Sequence, residues 1–229
     1  MTEHHPLKLQ RIEAGSALSW HSHEAGYAAV VIGGDYVEAG DGGRHRAAAG
    51  HVIVHAPFTG HANRIGTRGA EVVNIDLSVG EALSLAGGTL TNPIEFVREL
   101  HGDSANKVSI FAHHVSPAVP ERELPDMLAR ALDRDSDIRL SRWADQHGMS
   151  PRTITRQFSN LYGISPAHYR WRQRALAAWR AIMLGDEPLV RVANDTGFAD
   201  QAHMTRSVLA LTGRTPFAWR SHPVRFVQD

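Results

Sequence analysis

Hydrophobic positions change their spacing near the middle of the chain. Between Leu7 and Leu77 they come in short segments, Gly26 to Ile32, His51 to His55 and Glu71 to Leu77, that carry Val, Ile and Tyr. Glycines punctuate them at Gly33-Gly34, Gly42-Gly43, Gly66 and Gly69. β-Branched and aromatic residues in short runs between turn formers read as strands of an antiparallel barrel or sandwich. Pro93 to Leu100 reads as a helix, with Ile94 and Val97 three apart and Phe96 and Leu100 four apart. From Ser116 the chain is proline-rich and aperiodic, so residues 116–122 are expected to be a linker between a first domain (1–115) and a second (123–229).

Beyond that point the period becomes helical. Leu124, Leu128 and Leu132 mark one helix, and Leu140 to His147 a second, stopped by Gly148. Ser150-Pro151 and Ser165-Pro166 are N-cap and first-turn pairs. They open a helix with Ile154, Phe158 and Leu161 inward and a long one with Tyr169, Leu176, Trp179 and Met183 inward. Leu189 to Thr196, a helix capped by Asp200 with Met204, Val208 and Leu211 inward, and a last helix from Thr215-Pro216 complete the set.

This half repeats itself. Leu140, Ala144 and Gly148 correspond to Leu189, Ala193 and Gly197; after one inserted residue Ser150, Ile154, Arg156, Gly163 and Pro166 correspond to Asp200, Met204, Arg206, Gly213 and Pro216. Each copy reads as short helix, glycine turn, capped second helix. That is the helix-turn-helix plan, in which the second helix protrudes and fits a major groove.

Charge sharpens the division. Up to Glu121 there are 8 Lys and Arg against 13 Asp and Glu, a net −5; the remainder has 16 against 11, a net +5, and all sixteen cations are Arg. A basic half beside an acidic one points to a polyanion-binding module. Arg152, Thr153 and Arg156 stand opposite the apolar stripe of the first copy, and Gln201, His203 and Arg206 occupy that face in the second. Arg can fork onto guanine, Gln onto adenine, and Thr can touch a base edge. Arg172, with Arg170, Arg174 and Arg180 on the connecting helix, is expected to contact phosphates. Cysteine is absent, which removes disulfides, thiolate catalysis and Cys-based zinc sites. No apolar run approaches the ~20 residues of a membrane span, and the N-terminal residues lack a basic-then-apolar leader, so a cytoplasmic protein with no membrane partner is expected.

The segment Glu123 to Arg220 resembles the DNA-binding domain of the AraC/XylS family of bacterial transcription regulators. The second copy carries it in Ala193, Gly197-Phe198, Asp200-Gln201, His203, Arg206, Gly213, Thr215-Pro216 and Trp219-Arg220; the first in Ala144, Gly148, Ser150, Arg156, Phe158, Gly163, Ser165-Pro166 and Tyr169. Met204 and Val208 depart from the family's usual Phe. WHSHEAGYAAVVIGG and AGHVIVHAPFTGHAN resemble the two cupin motifs of the sensor domain common in this family. The resemblance implies an all-β cupin-like barrel (jelly roll) followed by an all-α domain with two helix-turn-helix motifs.

It implies a sequence-specific, non-enzymatic regulator of transcription, an activator or a repressor. Its expected partners are double-stranded DNA, a small-molecule effector, a second copy in a homodimer and, for an activator, RNA polymerase. Trp20, His21, His23, Tyr27, His61 and Asn63 are expected to line the effector pocket. His21 and His23, two apart on a strand, project to one face. With His61 they offer three imidazoles to a divalent metal, although no cofactor is required for DNA binding. Tyr27 stands where metal-binding cupins place an acidic ligand. His51 and His55 read as half-buried strand residues. The alternative reading is a metal-dependent cupin enzyme with an accessory helical domain.

Overall fold

The computed structural model describes residues 7–119, 121–135 and 137–221; His4, His5, Pro120 and the chain after Ser221 lie outside the described residues. The chain divides into two compact units between Glu121 and Arg122.

The first unit holds one eight-stranded antiparallel sheet: β1 (Leu7–Ile12), β2 (Ala17–Ser22), β3 (Gly26–Gly40), β4 (Gly43–Ala48), β5 (His51–His55), β6 (Gly60–Leu77), β7 (Gly88–Leu90) and β8 (Val115–Pro117). Their order is β1-β6-β3-β5-β7-β8, with β2 also on β6 and β4 also on β3. β3 and β6 pair along nearly their whole lengths, from Gly26 opposite Leu77 to Gly40 opposite His61. Gly33-Gly34 therefore lies within a strand rather than between two. The register shifts there, between Val31 and Gly33 and again between Gly34 and Tyr36. Gly34 has φ +68°, and a Cβ on it would collide with the Gly69 carbonyl, so only glycine fits this bulge.

An all-β first unit is corrected. Three helices, α1 (Val79–Ser84), α2 (Pro93–Gly102) and α3 (Lys107–His114), accompany the sheet. Phe96, Leu100, Ile110 and Phe111 bury the face made by Ala28, Val30, Val52, Val73 and Ile75. That apolar face needs a cover, because an exposed one loses its burial free energy, about 25 cal/mol per Å². Ala29, Val31, Tyr36, Ile53, Ile65 and Val72 form a separate cluster, as strand alternation requires. The expected linker is also shorter than drawn: Ser116 and Pro117 pair with Thr89 and Gly88. Glu121 is held by Arg46 at 3.0 Å and Arg44 at 3.7 Å.

The second unit holds α4 (Leu124–Arg134), α5 (Leu140–Gln146), α6 (Pro151–Tyr162), α7 (Pro166–Leu184), α8 (Leu189–Asp195), α9 (Gln201–Thr212) and α10 (Pro216–Ser221). The repeat is reproduced bond by bond. In the two turns Met149 N–H donates to Ala144 O and Phe198 N–H to Ala193 O, both at 2.9 Å. Gly148 and Gly197 take φ +65° and +76°, and Gly163 and Gly213, after α6 and α9, take +72° and +73°. Such left-handed stops favour glycine. Ser150 and Asp200 accept from Thr153 N and His203 N. Ser165 and Thr215 accept from His168 N and Ala218 N. α7 runs through the unit with Tyr169, Leu176, Trp179 and Ile182 buried; Ile182 takes the inward place expected of Met183, which is half-buried.

Candidate functional site

α6 and α9 turn their apolar stripes, Ile154, Phe158 and Tyr162 in one and Met204, Val208 and Thr212 in the other, into the helical core. The opposite faces are left to solvent. Arg152, Arg156, Gln201, His203 and Arg206 are exposed. Thr153 is half-buried, its hydroxyl 2.8 Å from Ser150 Oγ, so part of its hydrogen bonding serves the cap. His203 packs its ring edge-on against Phe198, centroids 5.1 Å apart, which fixes its direction at the start of α9. Gln201 and Arg206 share a surface depression with Ala202 and Thr205. Thr205 was not singled out from sequence, though its place one turn from Gln201 puts it on that face.

The arginines of α7 behave differently. Arg172 is 7% exposed, which corrects the expectation that it contacts phosphate. Arg170 Nη2 donates to Ile138 O at 2.5 Å and Arg174 Nη2 to Asp137 Oδ1 at 2.6 Å. Both pin the segment before α5 onto the long helix. Burial and the neighbouring Arg174 lower the Arg170 pKa, with Asp137 and Asp135 opposing them.

In the sheet unit, His21, His23, Tyr27, His61 and Asn63 all line one cavity of about 490 Å³. Trp20 is not among its lining residues; its indole lies over Gly60. Neighbours on a strand face opposite ways, so Trp20 and His21 cannot both point inward, and the register shift between Leu18 and His21 gives the inward place to the histidine. His21 Nδ1 donates to Ser19 O at 2.8 Å, which leaves its Nε2 lone pair for a ligand. The second cupin-like segment is tied to the first by Phe58 N–H donating to His23 O at 2.7 Å. Asp41 Oδ2 accepts from Gly60 N–H at 2.7 Å and so positions His61.

The cavity also contains Tyr36, Glu38 and His55, which the sequence reading did not place there. His55, expected as a half-buried strand residue, is 6% exposed. Burial, with the nearby histidines acting the same way, lowers its pKa well below the usual imidazole value. His61 is pushed down to about 3 by burial and by His21 and His23, while burial lifts Glu38 to about 8. Burial and then the His21 charge lower His23; burial and then Glu38 raise Tyr27. His55 and His61 are thus neutral imidazoles at neutral pH, and Glu38 is mostly a neutral carboxyl. His21, His23 and His61 each offer a ligand atom within 4.8 Å of the others. His61 Nδ1 is buried with no hydrogen-bond partner among the described residues. This donor set fits the divalent metal that the cupin resemblance implies.

A family model described as a helix-turn-helix domain matches residues 143–222. The chain is 33% identical over 78 residues to the virulence regulon transcriptional activator VirF of Yersinia enterocolitica, covering 34% of this chain and 29% of that one. It is 30% identical over 128 residues to the HTH-type transcriptional regulator RipA of Corynebacterium glutamicum, covering 53% and 38%. The chain thus spans about a third of the length of these curated relatives. Among solved structures, apo ToxT K231A of Vibrio cholerae strain SCE256 is similar over 94% of this chain and 96% of that one, at 9% identity and a TM-score of 0.45. No helix of the described residues is long and apolar enough to cross a membrane. Residues 143–222 therefore match a helix-turn-helix domain, in a segment similar to parts of named transcription regulators.

Proposed function

We propose that the chain is a transcription regulator that binds double-stranded DNA through its helical unit and answers to a small-molecule effector in its sheet unit. The observation that carries this reading is the exposure of Arg156 and Arg206 at equivalent places of two repeated units inside the helix-turn-helix segment. Arg152, Thr153 and Arg156 would read one major-groove segment, and Gln201, His203 and Arg206 the next on the same side of the duplex. Such segments recur about every 34 Å, or ~10 bp, so one chain would cover a half-site of roughly 20 bp and a homodimer twice that. RNA polymerase would be a further partner of an activator.

The cavity of about 490 Å³ suits a small polar or aromatic effector touching His21, His23, Tyr27, His61 and Asn63. Its effect on transcription would come from binding one conformation better than another. A divalent metal would supply a positive centre in that cavity; the cupin resemblance puts it on His21, His23 and His61, one of two donor groups there that share His61. The enzyme reading is set aside, since the relatives are named as regulators.

The test is retardation of the DNA upstream of the chain's own gene across a salt series. Nanomolar binding with a steep loss as salt rises is expected, because Arg–phosphate contacts release counterions. No retardation at low ionic strength overturns the reading.

A further inference from the structure

Tyr27 stands where the cupin motif places an acidic ligand and Glu24 is displaced from it, but a buried carboxyl, Glu38, lines the same cavity. Glu38, His55 and His61 are 4%, 6% and 3% exposed, and each has a ligand atom within 4.8 Å of the other two. His61 also belongs to the group with His21 and His23, so two sets of donors share one imidazole. Glu38 Oε2 lies 3.6 Å from His55 Nε2, longer than a hydrogen bond, so no bond between them explains their burial together. His61 Nδ1 and Asn63 Oδ1, from the same cavity wall, are buried without hydrogen-bond partners among the described residues. Burying polar atoms this way costs free energy that a bound cation recovers. Imidazoles with one carboxylate select first-row divalent ions such as Zn²⁺ or Co²⁺ over Mg²⁺ and Ca²⁺, which prefer oxygen.

We propose that Glu38, His55 and His61 form a buried site for a divalent transition-metal ion, with Glu38 supplying the carboxylate that Tyr27 replaces in the HxH segment. The site stands on the sheet unit alone and does not depend on the DNA-binding reading. Its test uses the full chain, stripped with a chelator and titrated with Co²⁺ under visible absorption, then with Zn²⁺ in competition. Saturable uptake of one ion is expected. Glu38→Gln and His55→Phe should each weaken it by at least ~10-fold and alter the Co²⁺ spectrum, with partial rescue in Glu38→Asp. Circular dichroism and promoter retardation, measured without metal, show that the variants fold and keep the DNA-binding reading separately testable. No saturable uptake overturns the proposal. So does unchanged affinity and spectrum in folded Glu38→Gln and His55→Phe, with loss only in His21→Ala, which would put the ion on the HxH group.

Discussion

The two repeats of the helical unit share a backbone and differ in what fills it. Turns, caps and left-handed glycines coincide position by position, yet Ile154, Phe158 and Tyr162 of the first answer to Met204, Val208 and Thr212 of the second. In the first copy Phe158 and Tyr162 stack at 4.3 Å, Tyr169 meets them edge-on, and Tyr162 Oη donates to Asp126 Oδ1 at 3.0 Å. In the second the position of Tyr169 is taken by Trp219, whose Nε1–H donates to Thr212 Oγ1 at 2.8 Å. The Tyr162–Tyr169 ring contact of one copy is replaced by the Trp219–Thr212 hydrogen bond of the other. The lesson is that local signals fix the unit's shape, while its core is free to vary so long as volume and polar partners are kept.

Substitutions can break that equivalence. Phe158→Ala should cost most, about 3–5 kcal/mol, because it empties the centre of the aromatic cluster; a shift in the urea midpoint of the helical unit measures it. Thr212→Val should cost about 1–3 kcal/mol, since it removes the hydroxyl that accepts from the buried Trp219 indole N–H. Indole fluorescence during unfolding follows that change. On the exposed faces, Arg206→Ala should weaken operator binding by about 1–3 kcal/mol and relax the choice of one base pair. Equal loss on every DNA sequence would make it a phosphate contact instead.

The sheet unit provides the contrast, with ionisable groups enclosed rather than displayed. Glu38 rises to about 8 on folding, so its contribution to stability is complete below about 4.5 and is lost as pH climbs through 8. His61 falls to about 3, and His55 and His23 fall with it. Their contribution is complete above about 6.5 and is lost as pH drops. Metal-free protein should therefore melt highest near pH 6.5. Its stability should decline on the alkaline side by at most about 1.4 kcal/mol per pH unit, and Glu38→Gln should flatten that limb. Scanning calorimetry of the full chain with chelator present measures both limbs.

What could be read from the sequence follows the same contrast. Ser150, Ser165, Asp200 and the glycine stops act on their immediate neighbours, so the helices from α5 to α10 were legible in order and nearly in extent. The fate of Arg172, Arg170 and Arg174 was not, because what a helix arginine meets depends on which segment folds onto it. Glu38 was hidden for another reason. Tyr27 and Ala29 face the cavity from odd positions of β3, but the bulge at Gly33-Gly34 moves the inward parity to Tyr36 and Glu38. Strict alternation from Tyr27 sends Glu38 outward. The shift in β2 likewise decides between Trp20 and His21. The conspicuous histidines showed where the cavity lies, while its carboxylate depended on one extra residue in a strand.

Hydroxyl-radical footprinting of the full chain on the DNA upstream of its own gene tests the central claim most directly. Two protected patches on one face of the duplex, about one helical turn or ~10 bp apart, are expected. Arg156→Ala should fade one patch and Arg206→Ala the other. A single patch untouched by either substitution, or no protection at low salt, would contradict the account.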